Sequence, residues 1–136
     1  VMTLLFRAAR VIPIAPAKED AALLEKAYAE IREALENGEL VGIFPEGGLT
    51  PDGSIQPFKG GIEKILATNP VPVVPMALQN LWGSMWSKQD SRLRRARLPR
   101  RFRAEIGLMA AEAIPPELVT AEFLEVQVRV LRGDAA

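Results

Sequence analysis

The chain has 136 residues, 49% apolar and 25% charged, which suits one globular domain burying roughly two-thirds of the surface its unfolded form exposes. Its 17 basic and 17 acidic residues cancel, no apolar run reaches the ~20 residues that span a bilayer, and cysteine is absent, which excludes disulfides, thiolate nucleophiles and thiolate metal sites. Histidine is absent as well, which removes the usual general base near neutral pH and any Ser-His-Asp machinery within these residues.

Val1-Met2 leads into apolar sequence without a charged targeting region, so no signal peptide is expected. A valine ahead of the first methionine reads as a cut or engineered terminus. Val11-Ile12-Pro13-Ile14 and Leu40-Val41-Gly42-Ile43-Phe44 are uninterrupted apolar runs, the pattern of strands buried on both faces. Between them, Leu23, Leu24, Ala27, Tyr28, Ile31, Ala34 and Leu35 recur at spacings of three and four, which predicts an amphipathic helix over 19–37 stopped by Asn37-Gly38. Strand, helix, strand implies a parallel pair.

Residues 45–54, Pro45-Glu46-Gly47-Gly48-Leu49-Thr50-Pro51-Asp52-Gly53-Ser54, are too rich in turn formers for regular structure and predict a loop at a strand's carboxyl end. A second helix should begin near Gly60, turn Ile62, Ile65 and Leu66 inward, and end before Asn69-Pro70. Val71 to Leu78 reads as a third strand whose Pro72 and Pro75 require a bulge or an edge. Ala104 to Leu108 reads as a fourth, Ile114-Pro115-Pro116 breaks the chain, and Thr120 can cap a last helix. There Val126, Val128 and Val130 alternate and would equally suit a strand. The expected fold class is α/β, a mainly parallel sheet flanked by helices.

In open parallel sheets ligands settle beyond the carboxyl ends of strands, where the loop after Phe44 lies. Its glycines admit close backbone approach, and Lys59 precedes a helix opening with Gly60-Gly61, whose unpaired N–H groups and positive dipole end suit an anion such as phosphate. A plain connecting loop is the competing reading. Glu46 can accept a hydrogen bond from a substrate hydroxyl or brace the loop through its backbone N–H groups.

Phe44-Pro45-Glu46-Gly47, then Pro57-Phe58-Lys59-Gly60, then Val71-Pro72-Val73-Val74-Pro75 occur in one order and spacing. With them, the chain resembles the C-terminal part of the glycerolipid (lysophosphatidic-acid, or lysophospholipid) acyltransferase domain over about residues 8 to 110. The resemblance implies a glycerol-3-phosphate acyltransferase-like fold. It implies transfer of a fatty acyl group from an acyl thioester, acyl-CoA or acyl carrier protein, to the free hydroxyl of a lysophospholipid, with no cofactor and no metal beyond that co-substrate. It implies an acceptor site made by Phe44, Pro45, Glu46, Gly47, Lys59 and Gly60.

In the family a histidine four residues ahead of an aspartate deprotonates the acceptor hydroxyl. That block is missing here and would lie before Val1, so the chain reads as a partial domain with no catalytic residue of its own, inactive in isolation. Two further departures concern the acceptor. Gly48 and Leu49 stand where the family commonly has a small residue and a phosphate-holding arginine, and Ala15-Pro16 replaces a second arginine. The bidentate clamp an arginine provides is lost, which leaves room for a larger head group such as lysophosphatidylethanolamine. The alternative is a non-catalytic module that binds lipid or protein on a degenerate acyltransferase fold.

Eight basic residues and one acidic lie between Lys88 and Arg103, so this stretch carries +7 and the remainder −7. It follows directly on Trp82 and Trp86, and tryptophan beside cationic side chains is the composition of a membrane interface. Trp82, Trp86, Arg92, Arg94 and Arg95 are the expected contacts of an anionic membrane surface, at its cytoplasmic face. A solvated charged loop is the rival reading. A nucleic-acid partner is not expected, since no known module is recognisable and the acidic remainder repels a polyanion. Binding to liposomes should therefore require anionic lipid and fade with salt; equal sedimentation with neutral vesicles at high salt would count against this surface.

Overall fold

A computed structural model describes residues 10–14, 16, 18–48, 50–80 and 105–133. They fall into two compact units, one made of the described residues within Val1–Ile43 and Ile65–Asn69, the other of those within Phe44–Lys64 and Pro70–Ala136. Along the chain run α1 (Ala21–Glu36), α2 (Gly61–Thr68), β1 (Met76–Gln79), β2 (Gly107–Ala110), a 3-10 turn (Pro116–Leu118) and α3 (Ala121–Arg132). Among the described residues no helix is long and apolar enough to cross a membrane.

The first unit is built on α1, whose ends follow from local chemistry. Asp20 lies in extended backbone and its carboxylate accepts the Leu23 N–H at 2.8 Å, satisfying one of the orphan donors of the first turn. At the other end Gly38 takes φ +73° and donates to the Leu35 carbonyl, while the Glu39 N–H reaches back to Ala34 at 2.9 Å. These two bonds make a Schellman motif, which requires a left-handed residue and so explains the stop at Asn37-Gly38. Ala27 and Ile31 are the buried residues of α1, and Ile65 and Leu66 complete this unit's core.

The apolar run Val11–Ile14 has no ladder partner among the described residues, and neither has Leu40–Phe44. Apolar side chains there stand in solvent, Ile14 at 62%, Leu40 at 102% and Phe44 at 82% exposure. The parallel pair expected from them is therefore not formed in this set of residues. An unbroken apolar run records that a strand is to be covered on both faces, but it does not supply the cover.

In the second unit β1 and β2 pair antiparallel, Met76 opposite Ala110 and Gln79 opposite Gly107. The expected third strand, Val71 to Leu78, thus keeps only Met76 to Leu78 and extends one residue further to Gln79, because Pro72 and Pro75 lack the N–H a ladder needs. An isolated bridge joins Val73 to Ile114 upstream. Three residue steps from Val73 to Met76 face four from Ala110 to Ile114, so the second strand absorbs one extra residue in the manner of a bulge. The expected fourth strand lies slightly later than its sequence pattern suggested, and Ala104 falls outside the described residues.

α3 packs on both strands. Its helical form settles the ambiguity of Val126, Val128 and Val130. Thr120 accepts the Phe123 N–H at 3.1 Å, and Gly133 ends the helix at φ +85°. Between these stops Leu124 is buried while Val126 and Val130, four apart, share the outer face. Val119, Ile55, Ile62 and Ala77 are the other buried apolar residues of the unit. Replacing the cap, Thr120→Ala, should lower stability by about 1 kcal/mol, read as a shift of the chemical-denaturation midpoint with unchanged slope.

Candidate functional site

The segment from Phe44 to Gly61 folds back on itself so that two of the sequence motifs become neighbours. Gly47 donates its N–H to the Phe44 carbonyl at 3.2 Å, closing a tight turn at φ +64°, a conformation that glycine adopts without strain. Across from it the Lys59 N–H bonds the Pro45 carbonyl at 2.9 Å. The Lys59 side chain then runs over Gly47. A methyl group added at Gly47 would lie 3.0 Å from Nζ, 3.1 Å from Cδ and 3.2 Å from Cε, so the backbone angle favours glycine and a side chain there would displace the Lys59 side chain. The Lys59 ammonium is exposed and forms no ion pair with a carboxylate of the described residues.

Glu46 is half-buried and its Oε2 accepts the Gln56 N–H at 2.7 Å. Of the two roles open to it, bracing the loop is the one this geometry supports. The tip between them carries its own hydrogen bonds. Thr50 Oγ1 accepts the Gly53 N–H at 2.9 Å, and Asp52 Oδ1 accepts the Ser54 N–H at 2.9 Å and the Ser54 hydroxyl at 2.6 Å. These donors, Ser54 Oγ foremost, hold the Asp52 carboxyl below its ordinary range.

The remaining support comes from α3, and the sequence alone drew no attention to it. Glu125 Oε2 accepts the Phe58 N–H at 3.0 Å, while its Oε1 takes Arg129 Nη2 at 2.8 Å and Nε at 3.0 Å. Arg129 Nη2 also donates to the Ile55 carbonyl at 2.9 Å, and Arg132 Nη1 to the Gly53 carbonyl at 2.9 Å. At the other end Glu63 Oε1 accepts the Ala121 N–H, the first of α3, at 2.8 Å. Glu125 and Arg129 stand four apart on a helix, a spacing that stabilises many surface helices. Nothing in that spacing points to Phe58, which is why the contact was not legible.

Of the expected site residues, the turn therefore unites Pro45, Gly47 and Lys59 directly and ties in Glu46 through Gln56. Phe44 projects into solvent beside them, and Gly60 is exposed at the start of α2. Glu63 sits in the first turn of α2, its Oε2 3.8 Å from where a Gly60 methyl would be. The positive end of that helix is thus already shared with a carboxylate. Trp82, Trp86, Arg92, Arg94 and Arg95 lie outside the described residues.

The family model for Acyltransferase matches residues 1–79, more than half the chain. The chain belongs to the acyltransferase family. No curated protein matches it, and no solved structure does. The matched acyltransferase region takes in both motifs of the turn and closes with β1, so β2 and α3, with Glu125 and Arg129, lie beyond it.

The Glu125 carboxyl is held below its ordinary value of 4.5, first by the Phe58 N–H and then by Arg129. A depressed carboxyl stabilises the fold above its unfolded pKa, and that contribution disappears as pH falls through the folded value. The Phe58 amide resonance should accordingly titrate with a midpoint below 4.5. In Glu125→Gln the titration at Phe58 should vanish; a Phe58 signal that still titrates in that variant would exclude this carboxylate as its partner.

Proposed function

We propose that this chain holds the acceptor in a fatty acyl transfer from an acyl thioester, acyl-CoA or acyl carrier protein, to the free hydroxyl of a lysophospholipid. The observation that carries the reading is the unpaired Lys59 ammonium lying over Gly47, within the region matched by the family model. A cation beside exposed backbone suits the anionic head of a lipid, and a head group held there orients the neighbouring hydroxyl for attack.

In the reaction a base takes the hydroxyl proton, the oxygen attacks the thioester carbonyl carbon, and the carbon–sulfur bond breaks as the thiolate leaves and is protonated. With no histidine among the 136 residues, the base and its aspartate belong to a part of the protein outside this chain. The complete domain would have a mainly parallel sheet flanked by helices, a reading supported by the uncovered apolar runs Val11–Ile14 and Leu40–Phe44. Gly48 and Leu49 in place of a clamp arginine favour lysophosphatidylethanolamine over lysophosphatidic acid. The work would take place at the cytoplasmic face of a membrane, reached through Trp82, Trp86 and the arginines that follow. The same absence of histidine favours the second reading, a binding module on a degenerate acyltransferase fold; a histidine and aspartate at the family's spacing ahead of Val1 in the gene product would decide for the enzyme.

In the full-length enzyme, Lys59→Met should raise KM for the lysophospholipid about tenfold, equivalent to ~1.4 kcal/mol of acceptor binding, and leave KM for the acyl donor unchanged. The 136-residue chain alone should transfer no acyl group, since general base catalysis supplies roughly 10²- to 10⁴-fold. An unchanged acceptor KM in Lys59→Met, or transfer by the chain alone, would overturn the assignment.

A further inference from the structure

Beyond the turn itself, we infer that Glu125 is a positioning residue for the acceptor site, acting on Lys59 through the Phe58 N–H; this rests on Lys59 as the ligand of the anionic head. Two successive backbone N–H groups are involved. Phe58 donates to Glu125 on α3, and Lys59 donates to the Pro45 carbonyl of the turn. With the two peptide units that flank the Phe58 Cα tied to different elements, the path of the backbone into Lys59 is held, and the Lys59 side chain lies over Gly47.

The carboxylate is itself immobilised. Arg129 meets its second oxygen through two nitrogens and also grips the Ile55 carbonyl, so Glu125 cannot swing away without breaking contacts on both sides. Counting Arg132 on Gly53 and Glu63 on Ala121, α3 is bonded to the segment from Gly53 to Glu63 at four residues that straddle Lys59. A helix outside the matched acyltransferase region thereby orders a lysine inside it. Ordering the cation beforehand removes a cost that ligand binding would otherwise bear, so the clamp affects affinity as well as folding.

The test is an amide-resolved titration of the 136-residue chain with glycerol 3-phosphate. In the wild type, Gly47, Lys59 and Gly60 should shift. Lys59→Met should weaken binding at least tenfold and Glu125→Ala about tenfold, a difference of ~1.4 kcal/mol. Glu125→Gln, whose amide oxygen still accepts the Phe58 N–H, should recover most of the loss. In the double variant the Glu125→Ala effect should disappear, because it has no lysine left to act through. If Glu125→Ala loses its amide dispersion, Arg129→Met carries the comparison, with a loss of about threefold expected from a carboxylate that is still present but free to turn. Wild-type affinity in Glu125→Ala, or in Arg129→Met where that variant stands in, overturns the positioning role, and so does an undiminished Glu125→Ala effect on top of Lys59→Met. A wild-type chain with no shift at Gly47, Lys59 or Gly60 instead overturns the acceptor site, and the positioning role with it.

Discussion

Glu125 spends one carboxylate oxygen on the Phe58 N–H and the other on the Arg129 guanidinium, and most of what is ordered about the candidate site follows from that division. As an i,i+4 pair with side chains 22% and 36% exposed, Glu125 and Arg129 contribute less than about 1 kcal/mol by themselves. Their larger consequence is geometric. Without Glu125 the half-buried Phe58 N–H loses its partner, at a cost of about 1–3 kcal/mol, and the backbone entering Lys59 keeps only the bond from the Lys59 N–H to the Pro45 carbonyl. The helix thus acts less as a prop for the core than as a ruler for a loop that has no regular structure of its own.

From that fixed point the constraints pass to Gly47. Its backbone angle lies where side chains cause strain, and the Lys59 stem occupies the space a side chain would need. The close approach of lysine and bare backbone is therefore one feature with two causes. Glu46 accepts the Gln56 N–H and so ties the turn at Pro45–Gly47 to the segment that leads into Lys59. The carboxylate of Glu63 occupies the electrostatically favourable end of α2, so the positive charge of the site is concentrated on a single side chain.

The chain's acid–base chemistry is limited by what it lacks. Two carboxylates are lowered by hydrogen bonds and ion pairing, Asp52 by Ser54 and Glu125 by Phe58 and Arg129, which makes these two poorer proton acceptors. Such groups organise loops.

The first two helices were legible in the sequence because their information is local, apolar spacing near 3.6 and the Asn37-Gly38 stop, and Thr120 marked the start of the third, whose alternating valines left a strand open; the Asp20 cap and the Gly133 stop emerged only in the structure. The loop after Phe44 was also legible, through its glycines and prolines, whereas its bond to Lys59 was suggested only by the family resemblance and is seen in the structure. Sheet topology was not. The apolar runs around Ile12 and Val41 announce buried strands, yet pairing depends on partners far along the chain, and in the described residues the only ladder is the antiparallel one that Pro72 and Pro75 confine to Met76–Gln79. Least legible of all was the bond from Glu125 to Phe58, 67 residues apart. Sequence determined which residues could turn, cap or carry charge, since those properties belong to single residues and near neighbours; only tertiary structure decided which carboxylate would hold which N–H, since that depends on where a helix comes to rest.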